Sequence, residues 1–250
     1  MNTAFEQYRY FLKDSVRRTI NFAMTDQNRG IKPPPIQKPC PEDALRISLA
    51  AKEDLAGLFS IDLFSAIDNR QSHRNFKDAP LTLQELSFLL WATQGIRSKI
   101  NEYATFRTVP SAGCRHALET YLCILNVEGL EAGIYRYLPV EHQLLIVSAD
   151  NEVAKKIVEA TLNQGFTGRA AVTFIWTTIP YRMEWRYDIA AHKVIAIDAG
   201  HVCQNLYLAS SAIGGGVCAI AAYHQELMDK LVAVDGIDEF TIYLAAIGKI

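Results

Sequence analysis

The amino-acid sequence predicts an α+β fold in which helices pack on a mixed central sheet. Segments with the composition of buried strands alternate along the chain with segments whose apolar residues recur at helical spacing. Two strand-like segments are separated by only a short turn, which predicts an antiparallel pair. Because half of the 250 residues are hydrophobic and 21% are charged, the chain can bury a core of this kind.

Residues 1–62 are predicted to form a helix followed by a proline-rich arm. Apolar side chains recur at helical spacing in residues 5–23, which predicts an amphipathic helix. Residues 25–43 contain five prolines and no periodicity, so we expect a stiff polyproline stretch lying along a surface. This arm either wraps around a partner subunit or packs on its own body. Residues 45–58 fit a short helix or irregular packing.

Residues 63–250 form the predicted main domain, which opens with a short helix. Thr82 and Glu85 have the spacing of a capping box, and Gly95 is the predicted C-cap of the helix that Thr82 begins. We expect residues 100–117 to be a loop and the glycines at 214–216 to form a turn. The remaining predicted elements are a strand at 118–127, a hairpin with strands at 135–137 and 144–147, a helix at 151–162, a buried strand at 170–179, a long buried helix at 193–213 and a last strand at 241–248.

Composition argues against several classes of protein. The formal net charge is −2, which is not typical of a broadly basic nucleic-acid binder. No apolar run reaches about 18 residues, the length of a membrane-spanning helix, and the first residues are too polar for a signal peptide. The five cysteines lie far apart without a C-x-x-C pair, so we expect neither a disulfide framework nor a metal site. These features predict a cytoplasmic protein.

Arg70, Ser72 and Arg74 stand at alternate positions directly ahead of the helix that begins at Thr82. Alternation sends their side chains to one face of an extended segment. Two guanidinium groups and a hydroxyl on one face can bind an anion through charge-assisted hydrogen bonds. Taken alone, the segment fits a solvated polar loop better.

Three further segments carry more polarity or glycine than packing requires, and the four together resemble the FMN-dependent nitroreductase superfamily. Within that superfamily they look most like the SagB-type dehydrogenases, and the first 62 residues loosely resemble the extension found in that branch. The resembling stretches are RQSHRNF at 70–76, PSAG at 110–113, YRMEWRYDIA at 181–190 and IDAGHVCQNLYLASSAIGGG at 197–216, with a terminal Gly248-Lys249.

The resemblance implies a nitroreductase-like fold with bound FMN. Arg70 and Ser72 would contact the phosphate and ribityl chain of FMN, and Gln71 between them would also bind the cofactor. Arg74 would reach the pyrimidine end of the flavin, where a cation stabilises the reduced anion and raises the reduction potential. Lys249 would add positive charge at the phosphate, unless it is simply a solvated terminal lysine.

The resemblance also implies a homodimer with FMN at the subunit interface. Pro110, Ser111, Ala112 and Gly113 would lie against the flavin bound mainly by the other subunit, although these residue types also suit a plain tight turn. Ala221 and Ala222 would present backbone to flavin N5.

Some positions depart from the family pattern. Many nitroreductases have Pro-x-Glu-Gly where this chain has Ala219-Ile-Ala-Ala, and Tyr-Pro where it has His116-Ala117.

The implied activity is hydride transfer through flavin N5, with NAD(P)H as a transient donor and a small molecule or a peptide as substrate. In azole-forming relatives a nearby lysine and tyrosine are thought to remove the substrate proton. The corresponding candidates for acid–base or anchoring roles are Arg182, Arg186 and Tyr187, although this segment also fits a solvated helix. Alternatives to an oxidoreductase are a flavin-binding or flavin-handling protein without turnover, and a structural module with an empty pocket.

Overall fold

The computed structural model describes residues 3–55 and 57–250. Its strands are β1 (Arg46–Ser48), β2 (Ile96–Asn101), β3 (Ala104–Arg107), β4 (Leu118–Ile124), β5 (Gly133–Leu138), β6 (Gln143–Ala149), β7 (Val172–Thr178), β8 (Gly215–Ile220) and β9 (Phe240–Lys249). Its α-helices are α1 (Thr3–Leu12), α2 (Lys52–Leu55), α3 (Leu63–Asp68), α4 (Leu83–Gln94), α5 (Val153–Ala160), α6 (Tyr181–Tyr187), α7 (Ala191–Ala212) and α8 (Gln225–Leu231).

Seven strands form one central sheet in the order β1-β6-β5-β4-β7-β9-β8, and β2 pairs with β3 in a separate hairpin. The strand pairs of the central sheet are antiparallel. Parallel bridges join Ser72 to Val217 and Leu81 to Val127, which makes the sheet mixed. The predicted α+β class, with a sheet packed by helices, is therefore confirmed.

The strand residues alternate between two apolar layers, as the period of a β-strand requires. Leu122 and its neighbour Phe174 face a layer that also contains residues of α4 and α7. Tyr121 and Ile175 face the opposite layer, which contains residues of α5 and α8. The sheet is therefore buried on both faces and holds its loops on a rigid frame.

Local signals predicted several elements well. Thr82 and Glu85 form the capping box, with the Glu85 N–H donating to Thr82 Oγ1 at 3.1 Å and the Thr82 N–H donating to Glu85 Oε2 at 2.9 Å. The predicted hairpin corresponds to β5 and β6, and the long buried helix corresponds to α7. These elements were predictable because their patterns are local and continuous.

Other predictions were wrong. The predicted helix at 5–23 ends at Leu12 and gives way to 3₁₀ helices at Asp14–Thr19 and Phe22–Met24. Its apolar face is not covered, since Phe5 and Tyr8 are 60% and 76% exposed, and a helix without tertiary packing is marginal in water.

Residues 100–117 are not all loop, because β2 and β3 pair there as a hairpin. Of the three glycines expected in a turn, only Gly214 has a left-handed φ of 63°, and the other two begin β8. Helix α8 was not predicted at all. Residues 45–58, which the sequence left open, contain β1 and α2.

The proline-rich arm packs on the body of its own chain. Buried Arg107 donates from Nη2 to the Ile36 carbonyl at 2.7 Å, and buried Arg136 donates from Nη2 to the Pro39 carbonyl at 3.0 Å. Between these anchors, Lys38 Nζ forms a salt bridge of 2.5 Å with Glu239. Farther along the chain, β1 pairs with β6 as an edge strand, so the segment before residue 63 contributes one strand to the sheet of the main domain.

The same arm also holds α6. The Gln27 N–H donates to the Trp185 carbonyl at 2.9 Å, and Trp185 Nε1 donates to the Ile31 carbonyl at 2.9 Å. The Tyr181 hydroxyl donates to Asp26 Oδ2 at 2.8 Å. Helix α6 is thus fixed between the arm and the sheet. Across residues 3–55 and 57–250, no helix combines the length and apolar character needed to cross a bilayer.

Replacing Glu119 by Gln should destabilise the protein strongly. Glu119 Oε1 pairs with Arg182 Nη2 at 2.6 Å, and the two side chains are only 3% and 2% exposed. Removing one charge of a buried pair leaves the other charge buried without a partner, which costs about 3–5 kcal/mol of unfolding free energy. Urea denaturation measures this loss.

The control is Lys155→Met, which breaks an ion pair with Glu152 whose side chains are 80% and 60% exposed. This variant should lose about 0–1 kcal/mol. Equal small losses in both variants would contradict a structural role for the buried pair.

Candidate functional site

The segment of residues 70–77, called here the site segment, lies across the ends of β8 and β9. The His73 N–H donates to the Val217 carbonyl and the Lys77 N–H donates to the Lys249 carbonyl, both at 2.9 Å. A Cβ on Gly216 would lie 2.7 Å from His73 Cβ, and one on Gly248 would lie 2.9 Å from Phe76 Cβ. The two glycines therefore permit the close approach of the segment to the sheet.

Tyr207 of α7 organises one end of the site segment. Its hydroxyl accepts a hydrogen bond from the Ala219 N–H at 2.9 Å and lies 2.9 Å from Ser72 Oγ. Because the amide can only donate, the hydroxyl proton of Tyr207 is available to Ser72. The Arg70 guanidinium lies over the Tyr207 ring, 5.2 Å from its centroid. Sequence reasoning missed Tyr207, whose only signal was its place in the family-resembling stretch at 197–216.

Arg74 points toward a different group of residues. Its guanidinium lies over the Phe166 ring, 6.0 Å from the centroid. Two residues earlier, Gln164 Nε2 donates to the Ala222 carbonyl at 2.9 Å. Burial raises the pKa of the Cys218 thiol, and the nearby charge of Arg74 partly offsets that rise. Arg74 therefore lies at Phe166, two residues from the glutamine that holds the exposed Ala222 backbone, while Arg70 and Ser72 meet at Tyr207.

The positive charges of this region differ in their partners. Lys249 Nζ is held by the Glu85 carboxylate and by the Ile213 carbonyl, the latter at 2.7 Å. In the part of the chain that the structure describes, no carboxylate lies within salt-bridge distance of Arg70 or Arg74, and both residues, like Gln71, are exposed. The unpaired Arg70 guanidinium beside the Ser72 hydroxyl is a donor set that suits a phosphate group. Arg74 adds a second uncompensated positive charge on the side of Phe166.

The PSAG loop (residues 110–113) meets helix α6. Gly113 has a left-handed φ of 59°, and a Cβ there would lie 2.6 Å from Tyr187 Oη and 2.9 Å from Arg186 Nε. Ser111 Oγ accepts a hydrogen bond from the His116 N–H at 2.9 Å, while Pro110 is exposed and Ala112 begins a 3₁₀ helix. Glycine is thus required where the loop touches the two half-buried side chains of α6.

Asp198 of α7 lies against this loop. Sequence reasoning assigned no individual role to Asp198, which belongs to the family-resembling stretch at 197–216. Its side chain is 6% exposed, and its Oδ2 atom has no hydrogen-bond partner among the described residues. Burial raises the pKa of Asp198, and contacts with Ser111 and the Ala112 backbone oppose the rise. The carboxylate is therefore a buried polar group whose second oxygen is unpartnered among the described residues.

The three predicted catalytic candidates lie in different environments. Arg182 is buried, donating to Glu119 at 2.6 Å and from Nη1 to the His116 carbonyl at 3.3 Å, which favours a structural role. Arg186 and Tyr187 are half-buried at the PSAG loop and are accessible to a ligand. Their catalytic roles stay predictions.

The site segment and the PSAG loop form two separate groups. Among the described residues, no hydrogen bond, ion pair or ring contact joins residues 70–74 to residues 110–113. Each group has its own unpaired basic side chains.

A sequence profile described as the nitroreductase family matches residues 67–249. The chain belongs to the nitroreductase family. This is a family of flavin-type oxidoreductases, and the recognition made from the motifs is confirmed.

Two curated relatives extend the comparison. MJ1384 of Methanocaldococcus jannaschii, which is assigned as a nitroreductase, is 30% identical over 195 residues that cover 78% of this chain and 94% of the relative. The trifolitoxin-processing protein TfxB of Rhizobium leguminosarum bv. trifolii is 26% identical over 196 residues, which cover 74% of this chain but only 52% of TfxB.

Solved structures share the fold. A nitroreductase-type structure from Ralstonia eutropha has a TM-score of 0.68 at 24% identity, and the match covers 86% of this chain and 97% of the Ralstonia chain. A chain of the E. coli microcin synthetase McbBCD complex, solved with truncated pro-MccB17 bound, has a TM-score of 0.61 at 22% identity. That match covers 78% of this chain and 76% of the synthetase chain. The match to TfxB agrees with the SagB-type branch.

A surface groove elsewhere contains none of these residues. It has a volume of about 710 Å³ and lies between the end of β6 and helices α5 and α8. Lys156, one of its basic residues, is paired with Asp150 at 2.6 Å. The groove offers no chemistry comparable to that of the two groups described above.

Replacing Gly113 by Ala should test the contact between the PSAG loop and α6. The variant combines a left-handed backbone with a clash against Tyr187 and Arg186. The matched control is Gly129→Ala, because Gly129 has a φ of 77° and no atom within 4 Å of an added Cβ. The control should lose about 1–2 kcal/mol of unfolding free energy, and Gly113→Ala should lose more. Equal losses in urea denaturation would show that the close contact is unimportant.

His116 should make stability depend on pH. Burial, followed by the charge of Arg107, lowers the pKa of His116 to about 3. Because the unfolded pKa is near 6.5, its contribution to stability is complete above pH 6.5 and is lost as the pH falls toward 3.

The contribution should decline by about 1.4 kcal/mol per pH unit in this window. His116→Asn keeps a residue that tolerates the φ of 46° and removes the titration. Urea denaturation at several pH values between about 4 and 7 measures the unfolding free energy as a function of pH. The slope of that dependence should be shallower for the variant than for the wild type. Parallel slopes would contradict the buried neutral imidazole.

Proposed function

We propose that this protein is an FMN-dependent oxidoreductase with FMN bound along the site segment. The observation that carries the proposal is the pair of unpaired guanidiniums, Arg70 and Arg74, on either side of the Ser72–Tyr207 contact. An FMN phosphate carries close to two negative charges, which the Arg70 guanidinium can bind, and the reduced flavin ring carries a further negative charge that Arg74 can stabilise. When bound, FMN would supply hydride transfer at its N5 atom.

In this proposal the residues of the site segment divide their roles. Arg70, Gln71 and Ser72 bind the phosphate and ribityl chain, and Tyr207 fixes the orientation of Ser72. Arg74 supplies positive charge at the pyrimidine end, close to the Ala221–Ala222 backbone. Lys249 would contribute charge at the phosphate only if its Nζ left the Glu85 carboxylate and the Ile213 carbonyl to bind the phosphate instead.

A homodimer would bring the two basic groups together. Since no hydrogen bond, ion pair or ring contact among the described residues joins the PSAG loop to residues 70–74, we propose that Pro110, Ser111, Ala112 and Gly113 complete the FMN site of a second copy. Arg186 and Tyr187 would then face the substrate side of that site, because both contact the position of Gly113.

The substrate is a small molecule or a peptide, and NAD(P)H is a transient electron donor. A peptide is supported by the structural match to a synthetase complex solved with truncated pro-MccB17. A cytoplasmic location is supported by the five free cysteines, because free thiols are typical of a reducing compartment.

The first experiment is an absorbance spectrum of the purified protein, recorded before and after denaturation, which should show FMN that is released on unfolding.

Arg70→Ala should weaken FMN binding about tenfold or more, because it removes a charged partner of the phosphate. Arg74→Ala should instead lower the flavin reduction potential with a smaller loss of affinity. Fluorescence titration and spectroelectrochemistry measure the two effects.

Arg97→Gln is the control, since Arg97 is exposed on the β2–β3 hairpin and should change neither quantity. A colourless protein that fails to bind added FMN would refute the proposal. Unchanged affinity and potential in both site variants would refute the assignment of the site segment.

A second candidate function is flavin binding without turnover. It is favoured by the loop at Ala219–Ala222, which lacks the proline and glutamate common in nitroreductases. Photoreducing the bound flavin and adding quinone or nitroaromatic acceptors distinguishes the two functions. Reoxidation at catalytic rates supports the oxidoreductase, whereas binding without reoxidation supports the second candidate.

A further inference from the structure

We propose that Arg115 and Arg186 form a binding site for a carboxylate group of the substrate, so that the enzyme prefers anionic substrates over neutral ones of the same shape. This inference rests on the proposed function for its catalytic consequence. The anion site itself is a property of the chain and can be measured without flavin.

Arg115 is a fixed and buried cation. Its side chain is 6% exposed, its Nε donates to the Arg182 carbonyl at 3.2 Å, and its guanidinium lies 4.9 Å from the centroid of the Trp185 ring. Arg186 follows Trp185 directly in α6, and its Nε lies 2.9 Å from the position of a Cβ on Gly113, two residues before Arg115. Both guanidiniums therefore lie where the PSAG loop meets α6. Burial lowers the pKa of Arg115, and the charge of Arg186 lowers it further, in agreement with this placement.

The nearby carboxylates are already used by other groups. Glu119 Oε1 pairs with Arg182 Nη2 at 2.6 Å, and Glu184 Oε1 of α6 lies 2.7 Å from His192 Nε2. Asp26 accepts the hydroxyl of Tyr181 at 2.8 Å. Within residues 3–55 and 57–250, no carboxylate lies within salt-bridge distance of Arg115 or Arg186.

Unpaired cations that are partly removed from water are costly, so a bound anion would relieve both the repulsion and the desolvation. A guanidinium offers a planar fork that matches a carboxylate in two parallel hydrogen bonds. A guanidinium has N–H donors and no acceptor atom, so Arg186 is suited to bind an anion.

The surroundings of Arg186 hold it at the PSAG loop. Its guanidinium lies over the Tyr187 ring, 5.5 Å from the centroid, and its Nε atom lies 2.9 Å from the position of a Cβ on Gly113. Tyr187 Oη lies 2.6 Å from the same position. A carboxylate bound by the two arginines would therefore bring the rest of the substrate close to a phenol that can exchange a proton.

The test compares 4-nitrobenzoate with 4-nitrobenzamide, which have the same shape but differ in charge. With FMN-loaded protein whose flavin is kept reduced by continuous photoreduction with a sacrificial electron donor, the wild type should favour the benzoate in kcat/KM by about tenfold or more. Arg186→Gln should bring the ratio of the two kcat/KM values close to one. The control Arg97→Gln should leave the wild-type ratio unchanged.

A second measurement does not depend on flavin. Isothermal titration calorimetry of the flavin-free protein should show benzoate binding more tightly than benzamide, and Arg186→Gln should abolish the difference. If Arg186→Gln does not fold by circular dichroism, Arg186→Lys takes its place and should reduce the benzoate preference because it loses the fork.

The outcomes separate the two proposals. A protein that binds benzoate but no FMN refutes the proposed function and supports the anion site. A protein that turns over both nitro compounds at equal kcat/KM and does not distinguish benzoate from benzamide refutes the anion site alone. Retention of the benzoate preference in Arg186→Gln also refutes it.

Discussion

The ion pair between Arg182 and Glu119 joins three parts of the molecule that are far apart in sequence. Burial would raise the pKa of Glu119, but the charges of Arg182 and Arg136 and the N–H of Lys38 lower it below its ordinary value. The carboxylate is at the start of β4, the guanidinium is on α6, and Lys38 belongs to the arm. A buried charge without its partner is unstable, so these three parts must stay together.

This constraint explains why α6 is available as a wall of the candidate site. Trp185 is held by the arm on one side, while Arg115 stacks on its ring on the other. With the helix fixed in this way, Arg186 and Tyr187 are presented to the PSAG loop at a defined place. A solvated helix could not hold two side chains against a glycine so closely.

The distribution of basic groups divides structural cations from cations available to a ligand. Arg182 and Lys249 each hold a carboxylate of the same chain, and the buried Arg107 holds backbone and side-chain carbonyls. Arg70, Arg74, Arg115 and Arg186 hold none, and each instead lies over an aromatic ring. Stacking orients a guanidinium but leaves its charge uncompensated, which is the condition for binding an anion.

The sequence by itself determined the features that depend on neighbouring residues. The capping box at Thr82, the β5–β6 hairpin and helix α7 follow from local spacing, and the ordered motifs were enough to recognise the nitroreductase family. The tertiary structure alone decided which basic residues are paired. Arg182 and Arg186 look alike in the sequence, yet one meets Glu119 from 63 residues away and the other meets no carboxylate among the described residues.

Tyr207 and the arm show the same limit. The hydroxyl of Tyr207 reaches Ser72 across 135 residues of sequence, and Lys38 reaches Glu239 across 201. Periodicity carries no information about such contacts, because they form only when the sheet has brought the segments together. For that reason the sequence determined the elements and the family, while packing decided which side chains are structural and which can meet a ligand.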